Sequence, residues 1–253
     1  MSTSERFRDK VAIVTGSADS IGRGIASRLG QEGAALALFD INEELLNKTA
    51  EELRAMNMQA KPYVVDISSE AQVIKAIKQV KEDWKKVDIL VNAAGIVGPT
   101  STEITEFETT DFDRIYEINL RGSFLMAKYT LQLMKKTGYG RVLLISSIAG
   151  KEGNPGMVGY SCTKAGVIGL VKGVAKEFAT SNITVNGLAP AVIKTTMNEK
   201  TSSEQLAYMT AKIPMRRLGT VEEVAALSCF IVSDENSFST GFIYDISGGR
   251  ATY

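Results

Sequence analysis

Tyr160 and Lys164 are the two residues whose types and spacing best suit acid–base chemistry. They stand four positions apart at the predicted start of a helix, so we expect both side chains on one helical face. A lysine cation beside a phenol favours the phenolate and lowers a pKa that is ordinarily about 10. Such a tyrosine can donate or accept a proton near neutral pH. An ordinary surface helix carries the same pattern, so the function of the pair depends on what the rest of the chain places beside it.

The composition excludes several other kinds of chemistry. The 253 residues include no histidine, which rules out Ser-His-Asp and Cys-His catalysis and every histidine-ligated metal site within the chain, and we expect no metal. Cys162 and Cys229 form no Cys-x-x-Cys pair, and we interpret them as thiols in a reducing compartment. Lys+Arg and Asp+Glu both number 29, and no long basic stripe occurs, so neither nucleic acid nor a membrane surface is an expected partner.

The first ten residues lack the apolar core of a signal peptide, and no segment is long and apolar enough to span a bilayer. We therefore expect a cytoplasmic protein. The length suits one large α/β domain over residues 1–253, and no linker or repeat divides the chain.

Short apolar runs alternate with amphipathic helical patterns along the whole chain. Continuous apolar strands separated by helices indicate a parallel sheet that is buried on both faces. The prediction is a doubly wound Rossmann fold with seven parallel strands and helices on both faces. The predicted strands are 11–15, 34–39, 63–65, 87–91, 141–145, 183–188 and 242–246. The predicted helices begin near residue 21 and then cover about 42–56, 69–85 (capped by Ser68 or Ser69), 111–136, 160–179, 195–213 and 221–232.

Polar residues, glycine or proline follow six of these strands. In an open parallel sheet, the carboxyl edge of the strands is where ligands bind. The residues are Gly16, Asp40, Asp66, Asn92, Ser147 and Pro190.

Residues 16–24 form a glycine-rich turn between the first strand and the first helix. Such a turn lets the backbone approach a pyrophosphate, whose charge the helix N-terminus favours. Asp40 follows Gly16 by 24 residues and ends the second strand, where a carboxylate can accept hydrogen bonds from both adenosine ribose hydroxyls. Asp40 and Asp19 would repel a 2′-phosphate, which predicts NAD rather than NADP. The alternative for Asp40 is an ordinary N-cap of the next helix.

The ordered motifs resemble those of the short-chain dehydrogenase/reductase family over nearly the whole chain. Thr15, Gly16 and Gly22 match its glycine motif, with Ser20 in place of the middle glycine. Its other motifs are matched by Asn92-Ala93-Ala94-Gly95, by the tetrad Asn119, Ser147, Tyr160 and Lys164, and by the stretch from Asn186 to Pro190, with Ala191 replacing a glycine.

The resemblance implies a role for each of these residues. Tyr160 would be the general acid/base, and Lys164 would lower its pKa and hold the nicotinamide ribose. Ser147 would polarise the carbonyl, with Ser146 as the neighbouring alternative, and Asn119 would fix a water that links Lys164 to solvent. The implied NAD contacts are Gly16, Ser17, Asp19, Ser20, Ile21, Gly22, Asp40, Ile41, Asp66, Ile67, Asn92, Ala93, Gly95, Tyr160, Lys164, Pro190, Ile193 and Thr195.

The family resemblance also implies a homotetramer, with interfaces on the long helices that start near Asp111 and Tyr160. It predicts hydride transfer between NAD and a secondary alcohol or ketone. Two alternatives stay open: a 3-oxoacyl-(acyl carrier protein) reductase, against which Asp40 counts because such enzymes commonly use NADPH, and a non-catalytic NAD-binding sensor.

The substrate prediction rests on the C-terminal residues and a few polar side chains. The C-terminal residues 245–253 resemble the ending of family members that oxidise sugars, sugar acids or polyols, so we expect a polar small-molecule substrate. Lys151, Asn154 and Arg250 are candidate contacts beside Ser147 and Tyr160, and Lys151 or Arg250 is hypothesised to meet a substrate carboxylate. Residues 195–213, which carry Met197, Tyr208 and Met209, are the expected lid.

Overall fold

The computed structural model describes residues 5–195 and 203–251, and within them seven parallel strands form one sheet in the order β3-β2-β1-β4-β5-β6-β7. The strands are β1 (Val11–Thr15), β2 (Ala35–Asp40), β3 (Ala60–Val64), β4 (Ile89–Asn92), β5 (Gly140–Ile145), β6 (Ile183–Pro190) and β7 (Ile243–Ile246). The strand order reverses between β1 and β4, which places a crevice at the carboxyl edge between these strands.

Helices cover both faces of the sheet. They are α1 (Ser20–Gln31), α2 (Glu43–Ala55), α3 (Glu70–Trp84), α4 (Thr109–Ile115), α5 (Gly122–Thr137), α6 (Ala149–Glu152), α7 (Val158–Phe178), α8 (Ser203–Ala211) and α9 (Val221–Ile231). Successive residues of a strand pack on opposite faces of the sheet. Ile13 packs with α3, α5 and α7 on one face, whereas Val14 packs with α1, α2 and α9 on the other. The predicted fold class is confirmed. No helix in the two described ranges is long and apolar enough to cross a membrane.

The third strand differs from the prediction. It begins at Ala60, includes Pro62 and ends at Val64, whereas the apolar run predicted 63–65. Proline cannot donate to a ladder, but β3 is an edge strand, where this loss is tolerated. Ser69 does occupy the N-cap of α3, yet its side chain makes no capping hydrogen bond.

The helix predicted over 111–136 is interrupted. A π-helical segment, Tyr116–Arg121, separates α4 from α5 and contains the buried Asn119. Such π turns are frequent at functional sites because they redirect one side chain.

The second half of the chain holds two smaller corrections. Residues 149–152 lie outside every predicted helix, yet they form the short helix α6, whose Gly150 packs against the backbone of α7. The predicted lid is helical over Ser203–Ala211, while residues 196–202, including Met197, lie outside the described residues.

Candidate active site

The turn after β1 brings the backbone of residues 16–22 into close packing. Gly16 has a φ of 66°, and a Cβ on Gly22 would lie 2.0 Å from the Gly16 carbonyl oxygen. Ser20, which stands where the family pattern has glycine, also takes the left-handed conformation with a φ of 52°. Such a φ is uncommon for a residue with a Cβ, so the substitution keeps the turn at some cost in backbone strain. The turn therefore still offers a close backbone approach at the N-terminus of α1.

Asp40 is fixed at the end of β2 by two backbone donors. Ala18 N–H donates to its Oδ2 at 3.1 Å and Asn42 N–H donates to its Oδ1 at 3.0 Å. The N-cap of α2 is Asn42, whose side chain accepts from Leu45 N–H, so Asp40 is not an ordinary cap. Within the described chain, no ion pair neutralises this carboxylate. Its position beside the glycine turn fits the two ribose hydroxyls of NAD.

Thr15 joins the turn to the adjacent strand end. Its hydroxyl donates to Asn92 Oδ1 at 2.8 Å and accepts from the N–H groups of Ala93 and Ala94. Asn92 in turn donates to Ser123 of α5. These buried bonds hold the predicted cofactor residues after β1 and β4 at a fixed spacing. The sequence motif contained Thr15, but its bridging function was missed because the acceptor lies 77 residues away.

Three predicted cofactor residues make contacts within the protein. The backbone N–H and hydroxyl of Ser17 both donate to the Phe39 carbonyl, so its side chain braces the turn. Asp66 Oδ1 accepts from both the N–H and the hydroxyl of Ser68. Ile67 is buried next to Gly122 of α5.

The remaining predicted cofactor contacts lie along the same edge. Asp19 is the N-cap residue of α1, followed by Ile21 in its first turn, and Ile41 is exposed just beyond Asp40. On the other side, the Pro190 carbonyl accepts from Ile148 N–H. Ile193 bridges to Gly219, and Thr195 ends the first described range.

Ser147, Tyr160 and Lys164 come together between β5 and α7. Tyr160 and Ser147 share a side-chain hydrogen bond, and Ser147 Oγ also accepts from Ala149 N–H at 3.1 Å. The neighbouring Ser146 instead donates to the Lys164 carbonyl at 2.8 Å and anchors α7. Of the two serines, Ser147 is therefore the one in contact with the tyrosine.

Lys164 is buried beside Tyr160. Its Nζ donates to the Ile145 carbonyl at 2.9 Å and lies 5.7 Å from the centre of the Tyr160 ring. Burial lowers the pKa of Lys164 to about 8. Burial also raises the pKa of Tyr160, and the hydrogen bond with Ser147 opposes that rise. The expected lowering of the Tyr160 pKa is therefore wrong, because burial, which spacing does not reveal, raises this pKa.

The lowered pKa of Lys164 predicts a pH-dependent stability. Between about pH 8 and pH 10.5 the unfolded chain keeps a proton that the folded chain has lost, so the free energy of unfolding contributed by Lys164 rises with pH. In urea unfolding without cofactor, we expect the free energy of unfolding of the wild type to rise with pH across this range relative to that of Lys164→Met. Burial raises the pKa of the Cys229 thiol to about 12, so this group lowers the free energy of unfolding as pH rises. That effect is the same in both proteins and cancels in their difference. A difference that stays constant with pH would contradict the assignment.

Asn119 holds the loop after β4 against α7. Its Oδ1 accepts from Ile96 N–H and its Nδ2 donates to the Ile96 carbonyl, both at 2.8 Å. Nδ2 also contacts the Thr163 hydroxyl at 3.3 Å. A Cβ on Gly95 would lie 3.0 Å from Asn119 Oδ1 and 3.4 Å from Lys164 Nζ, so these three predicted residues meet. The side-chain amide is thus occupied by protein groups.

The predicted substrate cations are paired within the chain. Lys151 Nζ donates to Asp245 Oδ2 at 2.9 Å, and Arg250 bonds both Glu152 Oε2 and Asn154 Oδ1 at 2.9 and 3.0 Å. Their side chains are only 9% and 8% exposed. Both cations are thus paired with protein carboxylates, which counts against the hypothesised contact with a substrate carboxylate. Their partners Asp245 and Glu152 were missed because 94 and 98 residues, respectively, separate the paired positions.

The described residues contain no group of three or more histidine, cysteine or carboxylate side chains that could hold a metal ion. The edge of the sheet does contain a dinucleotide-type turn, an acidic residue at the end of β2 and a Ser–Tyr–Lys cluster. These features define a Rossmann-fold oxidoreductase.

Comparison with known proteins places the chain more narrowly. A family model described as enoyl-(acyl carrier protein) reductase matches residues 16–251. A 2-dehydro-3-deoxy-L-rhamnonate dehydrogenase (NAD(+)) from Sphingomonas sp. (strain SKA58) is 42% identical over 98% of both chains. A 3-oxoacyl-(acyl-carrier-protein) reductase from Thermotoga maritima is 35% identical over 96% of this chain and 98% of that protein. The structure of NAD+-bound xylitol dehydrogenase superposes with a TM-score of 0.92 at 34% identity, covering 96% of this chain and 99% of the other. The chain belongs to the short-chain dehydrogenase/reductase family, as its motifs predicted.

Proposed function

We propose that this protein is an NAD-dependent dehydrogenase that oxidises a polar secondary alcohol, such as a sugar, sugar acid or polyol, to the ketone. The observation that carries the proposal is the hydrogen-bonded Ser147–Tyr160 pair beside the buried Lys164, at the same sheet edge as Asp40. NAD, when bound at this edge, would supply the acceptor for the hydride of the alcohol carbon. The chain itself must then bind the alcohol and take up its hydroxyl proton.

Tyr160 is the group that moves this proton. Its phenolate accepts the hydroxyl proton of the alcohol, and its phenol returns a proton to the carbonyl oxygen in the reverse reaction. The Ser147 hydroxyl donates to the same oxygen and favours the charge that develops there. Because burial raises the pKa of Tyr160, its neutral form prevails, and oxidation of the alcohol accelerates as pH rises. Lys164 holds the ribose, and Asn119 and Gly95 fix the loop beside it.

NAD is the cofactor on two grounds. The carboxylate of Asp40 favours ribose hydroxyls and disfavours a 2′-phosphate. The relative from Sphingomonas is named as NAD(+)-dependent, and the xylitol dehydrogenase structure contains NAD+. The glycine turn, Asp19 to Gly22, Asp66 and Ile67 form the rest of the nucleotide side, and Pro190, Ile193 and Thr195 form the nicotinamide side.

The substrate class rests on the same two relatives, whose names refer to a sugar acid and a polyol. A screen of sugar acids, polyols and simple secondary alcohols with NAD, monitored by NADH absorbance, tests it. Turnover confined to 3-oxoacyl thioesters with NADPH would instead favour the reductase alternative, which the Thermotoga relative supports. NADH binding without turnover on any of these compounds would favour the non-catalytic sensor.

Arg250 supports the substrate side of the site through Glu152 and Asn154. We expect Arg250→Met to loosen the segment between α6 and α7, raising the KM for the alcohol roughly threefold to tenfold with a smaller change in kcat. Steady-state kinetics measures this effect. The matched control is Lys61→Met, which removes the Lys61–Asp83 ion pair at the far edge of the sheet and should leave KM unchanged. Equal KM values for Arg250→Met and wild type would show that the contact serves stability alone.

We also propose a domain organisation, an oligomeric state and a cellular location. The whole chain forms one NAD-binding domain in which α8, with the exposed Tyr208 and half-buried Met209, serves as the lid. Exposed apolar side chains occur on α4 (Phe112), on the π-helical segment (Tyr116) and on α5 (Phe124). They support a homotetramer, which sedimentation measurements test. The unpaired thiols of Cys162 and Cys229 support a cytoplasmic location.

A further inference from the structure

A chain of buried hydroxyl and amide groups joins the glycine turn to the catalytic helix α7. Thr15 donates to Asn92 Oδ1 at 2.8 Å, and Asn92 Nδ2 donates to Ser123 Oγ at 2.9 Å. The Ser123 hydroxyl donates to the Asn119 carbonyl at 2.5 Å, and Asn119 Nδ2 donates to Thr163 Oγ1 at 3.3 Å. These residues are no more than 2% exposed, so water does not compete for the bonds. The nucleotide end and the catalytic end of the site are therefore joined inside the protein.

The last bond of this chain reaches Tyr160. Thr163 Oγ1, which accepts from Asn119 Nδ2, donates to the Tyr160 carbonyl at 3.0 Å. A helical threonine often bonds the carbonyl three or four residues before it, so the contact with Tyr160 alone would be ordinary. The bond from Asn119 is different, because it crosses from the π-helical segment to α7. One hydroxyl thus ties the backbone of the tyrosine to a second helix.

The surfaces that meet around Thr163 are closely packed. Gly159, Thr163 and Gly166 follow helical spacing, so they share one face of α7. A Cβ on Gly159 would lie 3.1 Å from the side chain of Ile115, at the end of α4. A Cβ on Gly166 would lie 2.5 Å from the side chain of Leu120 in the π-helical segment. Thr163 therefore adds a directional polar bond to a tight contact between these helices.

We propose that Thr163 is a positioning residue for Tyr160, and that its hydroxyl fixes α7 against the π-helical segment so that the phenol meets Ser147. Tyr160 and Lys164 each follow a residue of the packed face by one position, so a shift of this face moves both. Without the Thr163 hydroxyl, Asn119 Nδ2 loses one acceptor and the Tyr160 carbonyl loses a donor. The inference rests on the proposed function, since it assigns the group that orients the acid/base.

Fluorine NMR of fluorotyrosine-labelled protein saturated with NADH reports the surroundings of Tyr160 without a substrate. The Tyr160 resonance is the one that disappears in Tyr160→Phe. We expect Thr163→Val, which keeps the side-chain volume and removes the hydroxyl, to displace this resonance. Thr163→Ser, which keeps the hydroxyl and removes a methyl group, should leave it near its wild-type position. The matched control is Thr130→Val in α5, whose buried hydroxyl has no hydrogen-bond partner among the described residues, and it should also leave the resonance in place.

Steady-state kinetics with the alcohol that turns over fastest in the NAD screen provides a second readout. We expect Thr163→Val to lower kcat about tenfold, because a small misplacement of the phenol slows proton transfer. The NADH Kd should stay near the wild-type value, since the nucleotide contacts are unchanged. Thr163→Ser should recover most of the kcat, and Thr130→Val should keep it. A loss of stability in Thr163→Val without these changes would assign the residue to packing alone and overturn the proposal.

Ser123→Ala is the independent variant if Thr163→Val does not fold, because it interrupts the same chain at the Asn119 carbonyl. It should also displace the Tyr160 resonance. A resonance that stays in place in the folded variant, or one that Thr163→Ser displaces as far as Thr163→Val does, would overturn the proposal. A displaced resonance in a protein that oxidises none of the screened alcohols would retain the positioning residue and reject the proposed dehydrogenase activity, so the two failures are distinguishable.

Discussion

Tyr160→Phe is expected to lower kcat by roughly 10²–10⁴-fold, the contribution typical of a positioned general acid/base. The chain has no histidine to take over the proton, and Lys164 is held by the Ile145 carbonyl. The substitution removes only the hydroxyl, so the ring keeps its position next to Lys164. NADH binding, measured by fluorescence titration, should stay close to the wild-type value, because the nucleotide side of the site is unchanged.

Tyr63→Phe is the matched control for this prediction. Tyr63 is also buried, its hydroxyl donates to Asp83 at 2.7 Å, and burial raises its pKa too, yet it lies on the edge strand β3. Its variant should retain wild-type kcat even if it loses some stability. Substantial turnover in Tyr160→Phe would refute the acid/base assignment. Loss of NADH binding in that variant would instead indicate a structural role.

The local elements of the fold follow from the sequence because their causes are local. Apolar runs such as Val11 to Thr15 are buried on both faces, and Asn42 caps α2 next to the boundary that the pattern predicted. The start of β3 at Ala60 could not be predicted in this way. A run containing Pro62 is acceptable only at a sheet edge, and the strand order that makes β3 an edge is set by tertiary structure.

The candidate site likewise has features that the sequence could predict and features that it could not. The positions of Ser147, Tyr160 and Lys164 were predictable, since strand ends and helical spacing bring them to one place. Their electrostatics were not predictable, because the raised pKa of Tyr160 and the lowered pKa of Lys164 come from burial by the surrounding elements.

The ion pairs Lys151–Asp245 and Arg250–Glu152 likewise required the folded chain. From the sequence, Lys151 or Arg250 was hypothesised to bind a substrate carboxylate. In the structure, both are neutralised by carboxylates from distant segments. The pairs join Asp245 and Arg250, near the end of the described chain, to α6.

Cofactor preference should depend on Asp40 more than on any other carboxylate at the nucleotide end. Hydrogen bonds to a charged group contribute about 1.5–3 kcal/mol, equivalent to roughly 10–150-fold in affinity. We therefore expect Asp40→Ala to lower the ratio of kcat/KM for NAD to that for NADP by roughly this factor, as the ribose hydroxyls lose their acceptor and the 2′-phosphate loses its repulsion.

Two further variants separate the causes of this shift. Asp40→Asn keeps the shape of the side chain and an oxygen that can accept from the backbone, so it removes the charge with less disturbance of the turn. Asp19→Asn removes the neighbouring charge and leaves Asp40 in place, so it tests repulsion of the 2′-phosphate without loss of the ribose acceptor. Its effect on the ratio should be the smaller one, because Asp40 still accepts from the ribose hydroxyls and still repels the 2′-phosphate. If the ratio were unchanged in Asp40→Ala and Asp40→Asn alike, cofactor selection would have to arise elsewhere in the chain.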